Sequence, residues 1–185
     1  TYQLGAAGVD RESPAAVSGL DDVVAVAAGA YHNLAIQADG TLLAWGGNSG
    51  GQLGDGTTTA RWAATAVSGV DDAIAIAGGV SHSVVVRGVD GGTLWAWGDN
   101  TFGQLGDGTT DPHLTPAPCS APAGFAAVAA GFYHSLALTA GGSVFGWGAD
   151  FNGEVGDGEA GLDRLEPIAV YAGARALAAG TQHSL

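Results

Sequence analysis

One pattern constrains the fold of this chain more than any other feature: a glycine followed three residues later by a histidine. The pattern occurs four times, at Gly29 to His32, Gly79 to His82, Gly131 to His134 and Gly180 to His183. The histidines are therefore 50, 52 and 49 residues apart. Self-similarity at a fixed period of this length is typical of repeat proteins, in which each unit packs on its neighbours. At this period, 185 residues hold about 3.7 repeats.

Two further markers follow each glycine–histidine pair in the same order. The first is a Trp-Gly pair and the second is a Gly-Asp-Gly segment. Their tryptophans and aspartates are Trp45, Trp97, Trp147, Asp55, Asp107 and Asp157. The register of all three markers predicts a single repeat array over residues 1–185, as follows. We expect the tail of a preceding repeat at 1–23, repeats at 24–73, 74–125 and 126–174, and the start of another at 175–185.

Each repeat has the pattern of short strands separated by glycine turns. Alternation of branched and small residues predicts a first strand at 23–28, 73–78 and 125–130. A second strand is expected after the histidine, a third ending near the tryptophan, and a weaker fourth around 64–67 and 167–170. Four short strands in about 50 residues match one propeller blade. No helical periodicity persists past one turn, so we predict an all-β propeller.

These motifs resemble the regulator-of-chromosome-condensation repeat. Residues 24–57 follow its consensus of Val-Ala-x-Gly-x-x-His, then Asp-Gly, then Trp-Gly, then Asn-x-x-Gly-Gln-Leu-Gly, and the match repeats three times. The resemblance implies a seven-bladed β-propeller, of which this chain is long enough to build about half. The third repeat departs from the consensus, with Asp150, Glu154 and Val155 in place of Asn, Gln and Leu. We expect these departures to weaken the local turn.

The charge balance limits the partners of the chain. Eighteen Asp and Glu residues stand against five Arg and no Lys, which gives a formal net charge of −13. Phosphate backbones and anionic membranes attract Lys and Arg, so we expect neither direct nucleic-acid binding nor membrane binding. The lack of Lys also excludes a phosphate-binding P-loop. A single cysteine, Cys119, excludes an internal disulfide and a cysteine-rich zinc site.

The recurring side chains are interpreted as structural. Equivalent histidines on packed sheets lie about 10 Å apart, whereas zinc needs ligands at about 2 Å, so His32, His82, His134 and His183 are not expected to share an ion. Each Gly-Asp-Gly loop offers a single aspartate, which is too few ligands for calcium. The tryptophans are expected to anchor the core between blades. We therefore predict no metal, no cofactor, no catalytic residue and no enzyme activity.

The residues that vary between repeats are the candidates for binding. The two residues inside the glycine–histidine motif lie at strand entrances, on one rim of a propeller, and they include Tyr31, Phe132 and Tyr133. The segment after Gly-Asp-Gly supplies a second candidate patch, Arg61 and Trp62. Rigid exposed aromatic side chains are suitable binding hot spots. These five residues are predicted to contact a protein partner.

The sequence therefore favours a non-catalytic, protein-binding propeller scaffold or interaction module. Its composition suits a bacterial protein, which we expect to be secreted or at the cell surface. Three alternatives stay open: guanine nucleotide exchange on a small Ran-like GTPase, which the resemblance implies; a propeller-type inhibitor of a secreted enzyme such as a β-lactamase; and a building block of a larger surface protein. An open array exposes strand edges and blade faces, so self-association to complete the propeller is also expected.

Overall fold

The computed structural model describes residues 12–13, 15–88 and 91–185. The predicted tail of a preceding repeat at 1–23 lies in part outside these residues. Strands are the regular secondary structure of the described ranges. Within these ranges there is no helix with the length and hydropathy needed to cross a membrane.

Twelve strands in this part of the chain form three antiparallel sheets, and the strands of each sheet are hydrogen-bonded in chain order. Blade 1 contains β1 (Val23–Ala28), β2 (His32–Gln37), β3 (Leu42–Gly46) and β4 (Arg61–Ala66). Blade 2 contains β5 (Ala73–Gly78), β6 (His82–Arg87), β7 (Thr93–Gly98) and β8 (His113–Pro118). Blade 3 contains β9 (Phe125–Ala130), β10 (His134–Thr139), β11 (Ser143–Gly148) and β12 (Arg164–Ala172). The predicted all-β architecture of four-stranded blades is confirmed.

The first strand of each blade has the predicted bounds, whereas the fourth begins earlier than predicted. Strand β4 begins at Arg61, not near residue 64, and β12 begins at Arg164, not near residue 167. In each blade the first residue of the fourth strand lies opposite the glycine of the Trp-Gly pair, as Arg61 does with Gly46. Two extra residues follow on the fourth strand before pairing resumes. Because this bulge interrupts the alternation of hydrophobic residues, the alternation does not reveal where the fourth strand starts.

The glycine of each glycine–histidine motif is required by the imidazole ring beside it. A Cβ atom on Gly79 would lie 2.1 Å from His82 Cε1 and 2.8 Å from the carbonyl oxygen of Gly131 in the next blade. The backbone N–H of Gly79 donates to the carbonyl of His82 at 2.9 Å, which closes the turn between β5 and β6. Equivalent contacts of a Cβ on Gly29 and Gly131 would be 2.3 and 2.0 Å. No side chain fits at this position of the repeat.

Neighbouring blades share their hydrophobic core. Trp97 of blade 2 is fully buried against Leu34, Leu42 and Leu53 of blade 1 and their neighbours. Trp147 of blade 3 occupies the matching place against blade 2. A tryptophan thus lies in the hydrophobic layer between each pair of described blades. This is the position that an inter-blade anchor would occupy.

A buried hydrogen-bond relay crosses the seam between blades 1 and 2. His32 Nε2 lies 2.9 Å from Ser83 Oγ, and Ser83 Oγ donates to the carbonyl oxygen of Gln52 at 2.9 Å. Trp97 Nε1 donates to the same carbonyl at 2.9 Å. Since the single hydroxyl proton of Ser83 goes to Gln52, the hydrogen-bond network assigns the proton of the His32 ring to Nε2.

The same relay joins blades 2 and 3. His82 Nε2 lies 3.0 Å from Ser135 Oγ, and both Ser135 Oγ and Trp147 Nε1 donate to the carbonyl of Gln104 at 2.9 Å. Burial lowers the pKa of His32 to about 4, and burial with the neighbouring histidines lowers that of His82 to about 3. Both rings are therefore neutral near pH 7.

We expect Gly79→Ala to destabilise the chain by several kcal/mol, because the new Cβ would collide with the fully buried His82 ring and with the carbonyl of Gly131. Gly141→Ala is the matched control: Gly141 lies in an open turn, where the nearest atom to a new Cβ is 3.9 Å away. Urea unfolding followed by tryptophan fluorescence measures both changes. Equal stability of the two variants would contradict the steric account of the motif.

Candidate protein-binding site

Four aromatic rings form a continuous patch on the rim of blades 2 and 3. The ring of Phe102 lies 5.1 Å from that of Tyr133 and 5.2 Å from that of Phe151, and Phe132 lies 6.1 Å from Tyr133, all between centroids. The side chains of Phe132, Tyr133 and Phe151 are 42%, 36% and 51% exposed, and Phe102 is half-buried at the centre. We call these four residues the aromatic patch. Its tilted and edge-to-face contacts hold the rings in a fixed arrangement.

Backbone and side-chain hydrogen bonds anchor the loop that carries Phe102. The backbone N–H of Phe102 donates to Gln104 Oε1 at 2.8 Å, and Gln104 Nε2 donates to Asp99 Oδ2 at 2.9 Å. The backbone carbonyl of Gln104 is the acceptor of the inter-blade relay. Gln104 thus connects the patch directly to the packed seam between blades 2 and 3.

The structure brings together only some of the residues predicted to bind a partner. Phe132 and Tyr133 belong to the aromatic patch, while Tyr31 is 56% exposed on blade 1, two blades away. The intervening position on blade 2 is the polar Ser81. The predicted rim of aromatic residues is therefore not continuous, because a serine interrupts it.

The second predicted patch lies on an outer strand. Arg61 and Trp62 begin β4, and the Trp62 side chain is 36% exposed. The guanidinium of Arg61 binds the carboxylate of Asp55 at 2.6 Å, so much of its hydrogen-bonding capacity serves the loop of its own blade. This patch is separate from the aromatic patch, which lies on blades 2 and 3.

Sequence reasoning missed Phe102 and Phe151. Both follow a Trp-Gly pair, inside the consensus Asn-x-x-Gly-Gln-Leu-Gly, where blade 1 carries only Ser49 and Gly50. These consensus positions vary between repeats, as the two positions inside the glycine–histidine motif do. The same criterion of variation, applied to this loop, would have found both rings.

Each Gly-Asp-Gly aspartate forms an ion pair or hydrogen bond with the first residue of the fourth strand. The pairs are Asp55 with Arg61, Asp107 with His113, and Asp157 with Arg164. Hydrogen bonds from the Glu159 N–H and from Arg164 lower the pKa of Asp157. These contacts fix where the outer strand begins.

In blades 1 and 2 a buried asparagine side chain closes this loop. Asn48 Oδ1 accepts the N–H of Leu53 at 2.9 Å, while its Nδ2 donates to the carbonyls of Thr57 and Thr59 at 2.9 and 3.1 Å and to Asp55 Oδ1 at 3.2 Å. Asn100 makes the equivalent contacts in blade 2. The loop thus places several oxygen atoms around one amide nitrogen.

Blade 3 has Asp150 at the position of this asparagine. Asp150 Oδ1 accepts the N–H of Val155 at 2.9 Å, as in the other blades, but the buried Oδ2 has no hydrogen-bond partner. Burial, and then the nearby carboxylates of Asp157 and Glu154, raise the pKa of Asp150. The loop of blade 3 therefore lacks the amide donor that the asparagine supplies in blades 1 and 2. This missing donor is a physical reason to expect a weaker turn.

The remaining groups of chemical interest are spread over the blades. No group of three or more His, Cys, Asp or Glu side chains with a metal-binding arrangement occurs in residues 12–13, 15–88 and 91–185. His183 forms the same turn as the other motif histidines, since the N–H of Gly180 donates to its carbonyl at 2.9 Å. Burial, with a smaller effect from Asp107, raises the pKa of the Cys119 thiol, which is therefore protonated near neutral pH.

Stacked four-stranded blades with a rim of variable residues define a β-propeller repeat protein. The profile of the Regulator of chromosome condensation (RCC1) repeat matches residues 39–86 and 91–138. A second profile of the same description matches 23–52, 73–104 and 125–154. The chain belongs to the RCC1 repeat family.

Relatives of this chain have diverse roles. The Ultraviolet-B receptor UVR8 of Arabidopsis thaliana is 36% identical over 116 residues, which are 62% of this chain and 26% of UVR8. The E3 ubiquitin-protein ligase HERC2 of Homo sapiens is 30% identical over 96 residues, 51% of this chain and 2% of HERC2. The chain thus spans about a quarter or less of these relatives.

Among solved structures, Prp20p from Saccharomyces cerevisiae superposes with a TM-score of 0.78 at 25% identity. The match covers 90% of this chain and 43% of Prp20p, whose crystal structure was described together with its binding properties to Gsp1p and histones. Propellers of this family therefore include proteins that bind other proteins.

We expect Asp150→Asn to raise the free energy of unfolding by about 1–2 kcal/mol at pH 7, because the amide restores the donor that blades 1 and 2 have. The pKa of Asp150 is raised in the folded chain. The protonated form of Asp150 therefore favours the folded chain. Its contribution to stability is fully present below the ordinary aspartate pKa of about 3.9 and is lost as the pH rises through the raised value.

The gain from Asp150→Asn should accordingly shrink between pH 7 and about pH 4, as urea titrations at several pH values would measure. Asp111→Asn, at an exposed aspartate of blade 2, is the matched change of charge. A gain from Asp150→Asn that is the same at both pH values, or a loss of stability, would contradict the missing-donor account.

Proposed function

We propose that this chain is a protein-binding propeller module whose aromatic patch contacts the partner. The observation that carries the proposal is the continuous contact of Phe102, Phe132, Tyr133 and Phe151 at exposed, variable positions. Three of these side chains are more than a third exposed, although the seam between blades 2 and 3 has a buried hydrophobic core. Pre-organised aromatic rings lose little entropy on binding, which makes them effective anchors.

We also propose that the module has no catalytic activity of its own. Repetition disperses identical residues over successive blades, whereas a catalytic site brings unlike residues together. The buried histidines support this proposal, because their lowered pKa values keep them neutral and their Nε2 atoms face serines of the next blade. The relation to HERC2, a ligase, covers only 2% of that protein and gives no reason to assign its activity to this chain.

A second candidate function is guanine nucleotide exchange on a Ran-like GTPase. It is favoured by the similarity to Prp20p, which was examined for binding to Gsp1p. Release of fluorescent GDP from such a GTPase, with and without this chain, separates the two functions. Accelerated release of GDP would support nucleotide exchange in place of binding without activity. An unchanged release rate would be consistent with the protein-binding module.

We further propose that the 185-residue chain self-associates through exposed apolar faces of blades 1 and 3. Val24 and Val26 of β1 are 65% and 71% exposed on blade 1. At blade 3 an apolar cleft of about 440 Å³ is lined by Val144, Val170 and Leu185, among others. Exposed apolar blade faces favour pairing with further blades. Light-scattering mass at several concentrations tests this, and a monomer throughout the concentration range would contradict it.

We expect Tyr133→Ala to weaken binders selected from a displayed protein library by roughly 30-fold, because a central aromatic hot spot contributes about 2 kcal/mol. Thermal stability should change little, since the Tyr133 side chain is 36% exposed. Trp97→Ala should do the reverse and cost about 3–5 kcal/mol of folding stability through a core cavity. Calorimetric titration and thermal melts measure the two effects.

Trp62→Ala is the control for loss of an exposed aromatic outside the patch, and it should weaken the same binders less. Independent binders that are unaffected by Tyr133→Ala, or a Tyr133→Ala chain that unfolds, would contradict the assignment of the site.

A further inference from the structure

The aromatic patch carries an acidic group that the other blades lack at the same position. Asp99 follows the Trp-Gly pair of blade 2, where blades 1 and 3 have Gly47 and Ala149. Its Oδ2 accepts from Gln104 Nε2 at 2.9 Å, and the same Gln104 side chain accepts the N–H of Phe102. Its Oδ1 accepts from Thr101 Oγ1 at 2.7 Å. A half-buried carboxylate is therefore fixed in the loop that carries Phe102, connected through Gln104 to the Phe102 backbone.

The chain already holds one guanidinium between an aromatic ring and a carboxylate. The Arg87 guanidinium carbon lies 4.8 Å from the centre of the Trp95 ring, and Arg87 Nε donates to Asp72 Oδ1 at 2.6 Å. A cation over the face of an aromatic ring is attracted by the ring's quadrupole, and a nearby carboxylate adds charge pairing. This internal site shows an arrangement in which an aromatic ring and nearby carboxylates surround one guanidinium.

Most of the arginines in the described part of the chain are already engaged in ion pairs. Of the four arginines in the described residues, Arg61, Arg87 and Arg164 form ion pairs with aspartates of their own blades. The full sequence has a formal net charge of −13. A positively charged partner would be attracted to such a surface, whereas anionic partners would be repelled.

We propose that the aromatic patch and Asp99 together receive an arginine side chain from a cationic segment of the protein partner. The guanidinium would lie against the Phe102 and Tyr133 rings and pair with the Asp99 carboxylate. Arginine is favoured over lysine because its planar group stacks on rings and is more weakly hydrated. This inference rests on the proposed function, for which it names the chemistry of the partner.

The test uses three fluorescein-labelled peptides of ten residues, with three arginines, three lysines or three glutamines spaced by glycine and serine. Fluorescence anisotropy at about 0.15 M salt measures their binding to the full chain, because this salt screens long-range attraction. The arginine peptide should bind best, the lysine peptide more weakly, and the glutamine peptide not detectably.

Two variants locate the site. Phe102→Leu keeps an apolar side chain and removes the ring, and it should weaken the arginine peptide by about tenfold, which corresponds to about 1.4 kcal/mol. Asp99→Asn should weaken it by a similar factor. Asp111→Asn alters the net charge equally at an exposed aspartate outside the patch, so it should have a much smaller effect. Thermal melts establish that each variant is folded.

Equal losses in Asp99→Asn and Asp111→Asn would overturn the proposal in favour of general charge attraction. Unchanged binding in Phe102→Leu would overturn it as well. A neutral, leucine- and proline-rich peptide of equal length separates this inference from the proposed function. If only the leucine- and proline-rich peptide binds, and Tyr133→Ala abolishes its binding, the arginine site is wrong. The proposal that the aromatic patch binds proteins is then still supported. If neither peptide binds, the arginine site is wrong, and the effect of Tyr133→Ala on the library-selected binders tests the aromatic patch.

Discussion

The carbonyl group of one glutamine at each seam is the acceptor on which the stacking of these blades depends. At the second seam the Gln104 carbonyl accepts hydrogen bonds from Ser135 and Trp147 of the next blade, and His82 donates to that serine from the blade behind. These groups are buried, so loss of the Ser135 hydroxyl would leave the N–H of His82 without an acceptor in an apolar layer. The motif glycine exists because the imidazole occupies the space of its side chain.

The relay also explains how a repetitive scaffold holds the aromatic patch at one place on its rim. The Gln104 backbone belongs to the seam, while its side chain holds the backbone of Phe102 and the carboxylate of Asp99. The packed core and the exposed patch are therefore connected through one residue. Repeated positions are committed to stacking, and the short loops between them are free to carry different side chains on each blade. Function in this family can vary in this way while the fold is retained.

The repeat made most of the fold predictable, because strand alternation and glycine turns recur three times in register. The starts of the outer strands were not predictable from hydrophobic alternation, because ion pairs between residues six or seven positions apart fix them. Phe132 and Tyr133 were predicted as variable rim residues, but Phe102 and Phe151 were missed because the candidates came only from the glycine–histidine motif and from the segment after Gly-Asp-Gly. Asp150 stood out as a departure from the consensus, yet only the structure shows that its Oδ2 is buried without a donor.

The central claim is that the histidine–serine contact couples neighbouring blades, and a double-mutant cycle measures it directly. His82→Ala, Ser135→Ala and the double variant are compared by urea unfolding at pH 7, where the His82 ring is neutral. The account predicts a coupling free energy of about 1 kcal/mol or more, because Ser135→Ala leaves the buried N–H of His82 without an acceptor only when the His82 ring is present. Effects that add to within about 0.3 kcal/mol would contradict it, since they would mean that the histidine–serine contact itself does not couple the two blades.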